Sequence, residues 1–183
     1  FTLAELLIAL AILGVIASFT IPKVLESSTS AKYTACAKEA ASMVSGAYSS
    51  FKIDVGAAST TTAGAFTSLM NYVATNTTNN NASVPSGETA IGNCSTNITC
   101  LLMHNGGTLA YHNSASFGGS ASTNAIYFNF DPDSTGSAAG GVTFVQYYDK
   151  RITTYANALT GTTTGGSQVT PIASDPGWLS SWQ

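Results

Sequence analysis

Apolar and polar positions follow two regimes along the first 54 residues. From Phe1 to Pro22 almost every position is apolar or small, and Glu5 is the one charged side chain. At about 1.5 Å per residue a helix of this length spans roughly 30 Å, the thickness of a bilayer's hydrocarbon core. The run predicts a membrane-resident helix over 1–22. Beyond Pro22 the apolar residues thin out to Cys36, Ala40, Met43 or Val44, Ala47 and Phe51, a spacing of four and three that marks one helix face. Between Lys23 and Ile53 there is no proline and Gly46 is the only glycine. The same helix is therefore expected to continue over 23–54 as an amphipathic half, whose apolar face needs a sheet to cover it. Asp54-Val55-Gly56 reads as its stop, with glycine just past the end.

Residues 55–106 read as an irregular connector rich in Thr, Asn and Ser. Within it Phe66, Leu69, Met70 and Val73 stand at helical spacing and predict one short helix. Strand signals gather over 107–155. Thr108–His112 follows a Gly-Gly turn, Ala125–Phe130 places Ile126, Phe128 and Phe130 on one face, and Val142–Tyr148 alternates less cleanly. Arg151–Tyr155 can pair back across the tight Asp149-Lys150 turn, so short links join sequential strands into an antiparallel meander. The expected fold class is α+β: a long N-terminal helix packed on a small antiparallel sheet of three to four strands. The tail, 156–183, turns apolar again at Pro171-Ile172 and at Trp178–Trp182. Two tryptophans so close together are expected to dock on the domain or on an adjacent subunit.

Charged residues make up only 8% of the chain and the net charge is −3, so bulk charge offers no nucleic-acid-binding surface. Between Val55 and Phe130 the one formal charge is Glu88. That surface stays soluble through hydroxyls and amides, or is covered by glycans or neighbouring subunits. Asn-x-Ser/Thr triplets stand at Asn76, Asn81, Asn93 and Asn97. The three cysteines, Cys36, Cys94 and Cys100, allow three single-bridge choices. A Cys94–Cys100 bridge is favoured, because its loop sits between turn-forming Asn and Thr, and it leaves Cys36 as a small apolar residue on a helix face. His104 and His112 lie in different loops, and no Cys/His set has zinc spacing. Asn129-Phe-Asp131-Pro-Asp133-Ser-Thr135-Gly136 places oxygen-bearing side chains at alternating positions and resembles the opening of a calcium loop, with Asp131 and Asp133 as the ligands. No bidentate Glu follows at the expected distance, and an ordinary Asx/Pro turn explains the same residues. The motifs of hydrolases, nucleotide-binding loops and zinc proteases are absent, so no enzymatic activity is expected.

Phe1, Thr2, Leu3, Glu5, Leu6, Ile8, Gly14, Ala17 and Pro22 together resemble the N-terminal motif of type IV pilins and of the related type II secretion pseudopilins. Ala4 departs from it, since many members carry Ile there. The resemblance implies that a prepilin peptidase removes a leader and methylates the amine of Phe1, which fits a chain beginning at Phe. It implies insertion in the inner membrane, followed by extrusion through an assembly platform powered by a separate ATPase. It further implies that Glu5 pairs with the Phe1 amine of a neighbouring copy, and that the segment between Gly14 and Pro22 can lose helicity when subunits pack into a helical homo-oligomer. Major pseudopilins bind calcium in the loop joining their last strands through an Asp-x-Asn-Gly pattern, which this chain lacks. Three readings follow. The first is the subunit of an extracellular pilus serving adhesion, motility or DNA uptake, favoured by the sparse charge and the Thr/Asn-rich connector. The second is a secretion pseudopilin, and the third is a monomeric membrane-anchored binding module.

Overall fold

Helix α1 (Leu3–Asp54) runs unbroken for 52 residues. The computed structural model describes residues 2–76, 94, 97–135, 141–159, 161–164, 167–168 and 175–179. Thr2 caps the start of α1, and Gly56 leaves its end with φ +82°, the left-handed conformation glycine adopts freely. Pro22 sits inside the helix without ending it. Its ring removes the donor that the Ser18 carbonyl would otherwise receive.

Residues 34–48 of α1 bury one face made mainly of small side chains: Thr34, Cys36, Ala37, Ala40, Ala41, Val44 and Ala47. Tyr48 is the large exception, fully buried, with its ring centroid 5.3 Å from that of Phe66 and 4.9 Å from that of Phe117. Its hydroxyl donates to the Tyr148 carbonyl at 2.8 Å, and Lys52 Nζ donates to the same oxygen. These bonds pin the top of α1 to the sheet.

The sheet has six antiparallel strands in sequential order: β1 (Ala74–Asn76), β2 (Ile98–Leu102), β3 (Thr108–His112), β4 (Ala125–Asp131), β5 (Val142–Tyr147) and β6 (Ile152–Thr154). A separate two-stranded pair is formed by β7 (Thr163–Thr164) and β8 (Ser167–Gln168). The class is α+β as expected, but the strand count is corrected from three to four up to six. Both additional strands lie in what reads as an irregular connector. Ala74-Thr-Asn76 has no alternation of its own and is a strand because it pairs with β2, Ala74 opposite Leu102 and Asn76 opposite Cys100. The short helix α2 is Ala63–Thr67, displaced toward the N-terminus of the expected Phe66–Val73. Phe66 and Met70 are buried as the spacing implies, while Leu69 and Val73 are 52% and 55% exposed. Val73 has already joined the sheet side, its N–H donating to the Leu102 carbonyl at 2.8 Å.

Strands β4 and β5 are buried on both faces. Ile126, Phe128, Phe130, Val142 and Phe144 share a core with the alanine face of α1. Ala125, Tyr127, Val145 and Tyr147 form a second core with Ile98, Cys100, Ala110 and Tyr155. Covering on both sides explains the poor alternation of Val142–Tyr148, since a strand with two dry faces has no polar side to show.

The β5–β6 hairpin closes with the Tyr147 N–H on the Arg151 carbonyl at 2.8 Å, and Lys150 takes φ +82° in its loop. A side chain in the left-handed region costs about 1–2 kcal/mol, partly offset when glycine replaces it by the freedom glycine loses on folding. Lys150→Gly is expected to raise stability by up to about 1 kcal/mol in a urea melt.

Candidate functional site

The free half of α1 is the part of the molecule whose chemistry asks for a partner. Its large apolar side chains from Leu3 to Leu25 are all between 55% and 78% exposed. The helix is long and apolar enough to cross a membrane. Hydroxyls within this half turn inward, Ser18 Oγ donating to the Val15 carbonyl and Thr20 Oγ1 to the Ile16 carbonyl, both at 2.8 Å. Such back-bonding hides polar groups from an apolar surrounding. Lys23 is the first cation after Glu5 and marks where the apolar run ends.

Glu5 and Thr2 form a capping box. The Thr2 N–H donates to Glu5 Oε2 at 2.6 Å and the Thr2 hydroxyl to the same oxygen at 3.0 Å, while the Glu5 N–H donates to Thr2 Oγ1 at 3.3 Å. The carboxylate is fully exposed, and both bonds fall on Oε2, so Oε1 makes no hydrogen bond among the described residues. The Thr2-x-x-Glu5 spacing is the sequence signature of this cap. Phe1, the expected amine donor, lies outside the described residues. Gly14 and Pro22 stand eight positions apart in continuous helix, and a Cβ added at Gly14 would meet nothing within 4 Å.

Cys94 and Cys100 are joined by a disulfide with a Cα–Cα distance of 5.7 Å, tying residue 94 to β2. Cys36 is a buried free thiol on α1. His104 Nε2 pairs with Asn71 Oδ1 at 3.1 Å across 33 residues of sequence, and His112, which ends β3 rather than lying in a loop, pairs locally through Nδ1 with Ser114 Oγ at 2.8 Å. Of the four glycosylation triplets, Asn76 lies in β1 and Asn97 in the exposed turn before β2, whereas Asn81 and Asn93 lie outside the described residues.

Asp131 ends β4, fully buried, and Asp133 is exposed just beyond it. Asp131 Oδ1 accepts the Asp133 N–H at 3.3 Å. Asp133 Oδ1 accepts the Thr135 N–H at 3.0 Å and the Thr135 hydroxyl at 2.7 Å. Among the described residues no three His, Cys, Asp or Glu side chains come together. Calcium takes about six to eight oxygens, and the two carboxylates would supply only part of that set; Gly136 lies outside the described residues. Partial burial pushes the Asp133 carboxyl up, but hydrogen bonds from Thr135, Asp131 and Tyr33 outweigh it and hold the group below the usual carboxylate value. A depressed folded value means the stabilising contribution is complete above the unfolded value and is lost as pH falls through the folded one. Thermal midpoints are therefore expected to hold down to about pH 5 and to decline below about pH 4. Asp133→Asn should flatten part of that decline.

The tail supplies contacts that hydropathy did not specify. Trp178 docks on its own α1, its ring 5.8 Å from that of Tyr33 in an edge-on arrangement, and its carbonyl accepts the Thr34 hydroxyl at 2.9 Å. Trp182, Pro171 and Ile172 lie outside the described residues. Comparison of the chain with protein-family models, curated proteins and solved structures finds no match.

Proposed function

We propose that the chain is the structural subunit of a type IV pilus-like filament. The observation that carries this reading is the free half of α1, an apolar rod whose large side chains are all exposed, with a carboxylate in its first turn. Apolar side chains on every side of a helix need lipid or other helices around them. A lone membrane span meets that need while the chain is in the bilayer. The capping box accounts for a side chain that accepts from Thr2, but glutamine would serve that cap as well, so a lone span gives no reason for the charge. A charge in such surroundings calls for a partner of opposite sign. The α-amine at the start of a second copy has the right charge, and Glu5 Oε1, which makes no hydrogen bond among the described residues, can accept it while Oε2 still caps its own helix.

In this arrangement α1 of each copy lies against its neighbours along the filament axis, and the six-stranded domain forms the outer wall. The chain is held in the inner membrane before assembly and stands outside the cell afterwards. Its charge-poor connector then belongs to an outer surface.

Intact-mass measurement of protein sheared from the cell surface tests the proposal. The expected species starts at Phe1, is one methyl group heavier than the chain, and lacks two hydrogens for the Cys94–Cys100 bridge. Recovery of the protein only from membranes, with none in the sheared fraction, would sink the pilus reading in favour of a pseudopilin or a simple anchor.

A further inference from the structure

We infer that the C-terminal strap Asp175–Leu179 is a positioning device that sets the direction in which α1 leaves the domain. The inference does not depend on filament assembly. It starts from the make-up of the helix–sheet contact. From Thr34 to Ala47 the fully buried face of α1 carries small side chains, with only the partly buried Met43 beside them, and the first large fully buried side chain, Tyr48, lies about 21 Å from Thr34 along the axis. Small side chains let the helix approach the sheet closely but interlock weakly with it, because holding a direction takes side chains that fill grooves. The lower end of the buried stretch thus needs another element to hold it.

The strap stands at that end. Thr34 is the first buried residue of α1, and its hydroxyl donates to the Trp178 carbonyl at 2.9 Å. The Trp178 ring meets Tyr33 edge-on, and Trp178 and Leu179 both pack against the core that the alanine face of α1 shares with the sheet. The strap is stiffened by the Leu179 N–H on the Pro176 carbonyl at 2.9 Å. Its other end is tied to the β6 edge of the sheet, where Asp175 Oδ2 accepts the Thr154 hydroxyl at 2.7 Å and the Asn157 amide at 3.1 Å. One five-residue segment thereby links the edge strand β6 to Tyr33 and Thr34, where the buried stretch of α1 begins. Tyr33 also stands beside the Asp133 carboxylate beyond β4, close enough for the two to shift each other's titration.

Leverage makes this junction matter. The free part of α1 below Thr34 is about 45 Å long, so a tilt of roughly 10° at the junction moves the helix start by about 8 Å. A strap holding Tyr33 and Thr34 controls where Glu5 sits relative to the domain.

The test uses the full chain in lipid nanodiscs, with Cys36→Ala, and spin labels on Ser28→Cys and Ser120→Cys, two exposed positions on either side of the junction. Double electron–electron resonance on this parent is expected to give one narrow distance distribution. Trp178→Ala and Asp175→Ala, which release opposite ends of the strap, should each broaden it roughly twofold while amide-exchange protection of β4 and β5 stays at the parent level. Thr34→Val, which keeps the ring packing and removes the hydroxyl, should broaden it less. An unchanged width overturns the inference, and so does broadening that comes only with lost protection in β4 and β5, which would make the strap a general stabiliser. Should Trp178→Ala fail to fold, Asp175→Ala and Thr34→Val decide by the same two readings.

Discussion

Tyr48→Ala is expected to cost about 3–5 kcal/mol, the range for removing a large buried aromatic side chain. Three losses coincide. The ring is fully buried between Phe66 and Phe117, so its removal leaves a cavity that rigid neighbouring rings cannot collapse into. Its hydroxyl is one of two donors on the Tyr148 carbonyl, the other being Lys52 Nζ, which stands 3.9 Å from the Tyr148 ring centroid. The large anchor at the top of α1 is also lost, leaving the helix to its small-residue face, Lys52 and the strap. Against a typical total of about 5–15 kcal/mol, a loss of this size brings the domain close to unfolding at ambient temperature. Tyr48→Phe separates the terms. It keeps the packing and removes one hydrogen bond from a carbonyl that retains Lys52, so a cost of about 1 kcal/mol is expected. Urea melts of both variants in micelles, followed by circular dichroism, check the pair; equal losses would mean that the hydroxyl and not the ring holds the helix.

Helix α1 was readable because its signals are local. An apolar run of membrane length, a one-face spacing after Pro22 and Gly56 at its end need no knowledge of the rest of the chain. Strands β3 to β6 were readable for the same reason, each carrying its own alternation or turn. Strand β1 has no such pattern, and Ala74-Thr-Asn76 becomes a strand only by pairing with Ile98–Leu102, across a stretch of sequence with no hydrophobic cue. The apolar spacing of Phe66 to Val73 counted residues that face two different surroundings, the core for Phe66 and Met70 and solvent for Leu69 and Val73. The strap was hidden more deeply. Thr34 and Trp178 are 144 positions apart, and no local pattern brings them together.

Of the candidate site, Glu5 stood out as the lone charge in an apolar run. Its bond to the Thr2 N–H was equally local, a hydroxyl and a carboxyl three positions apart at a helix start. That bond gives the second large prediction its force. Glutamine at the same position can still accept the Thr2 N–H and complete the capping box, so Glu5→Gln keeps the start of α1 and removes only the charge. The variant should enter the membrane at least as well as the parent, since an uncharged group costs less in an apolar surrounding. It should fail at the next step, where an amine of a second copy would find no anion. A loss of assembly without a loss of folding or insertion separates the charge from the cap.

Electron microscopy and immunoblotting of material sheared from cells that make only the Glu5→Gln chain test the filament reading most directly. The expected result is a parent strain with filaments and a variant strain whose sheared fraction is empty, with the variant protein accumulating in the membrane at parent level. Normal filaments from the variant would contradict the pairing of Glu5 with a neighbouring amine, and filaments absent from both strains would contradict the filament itself.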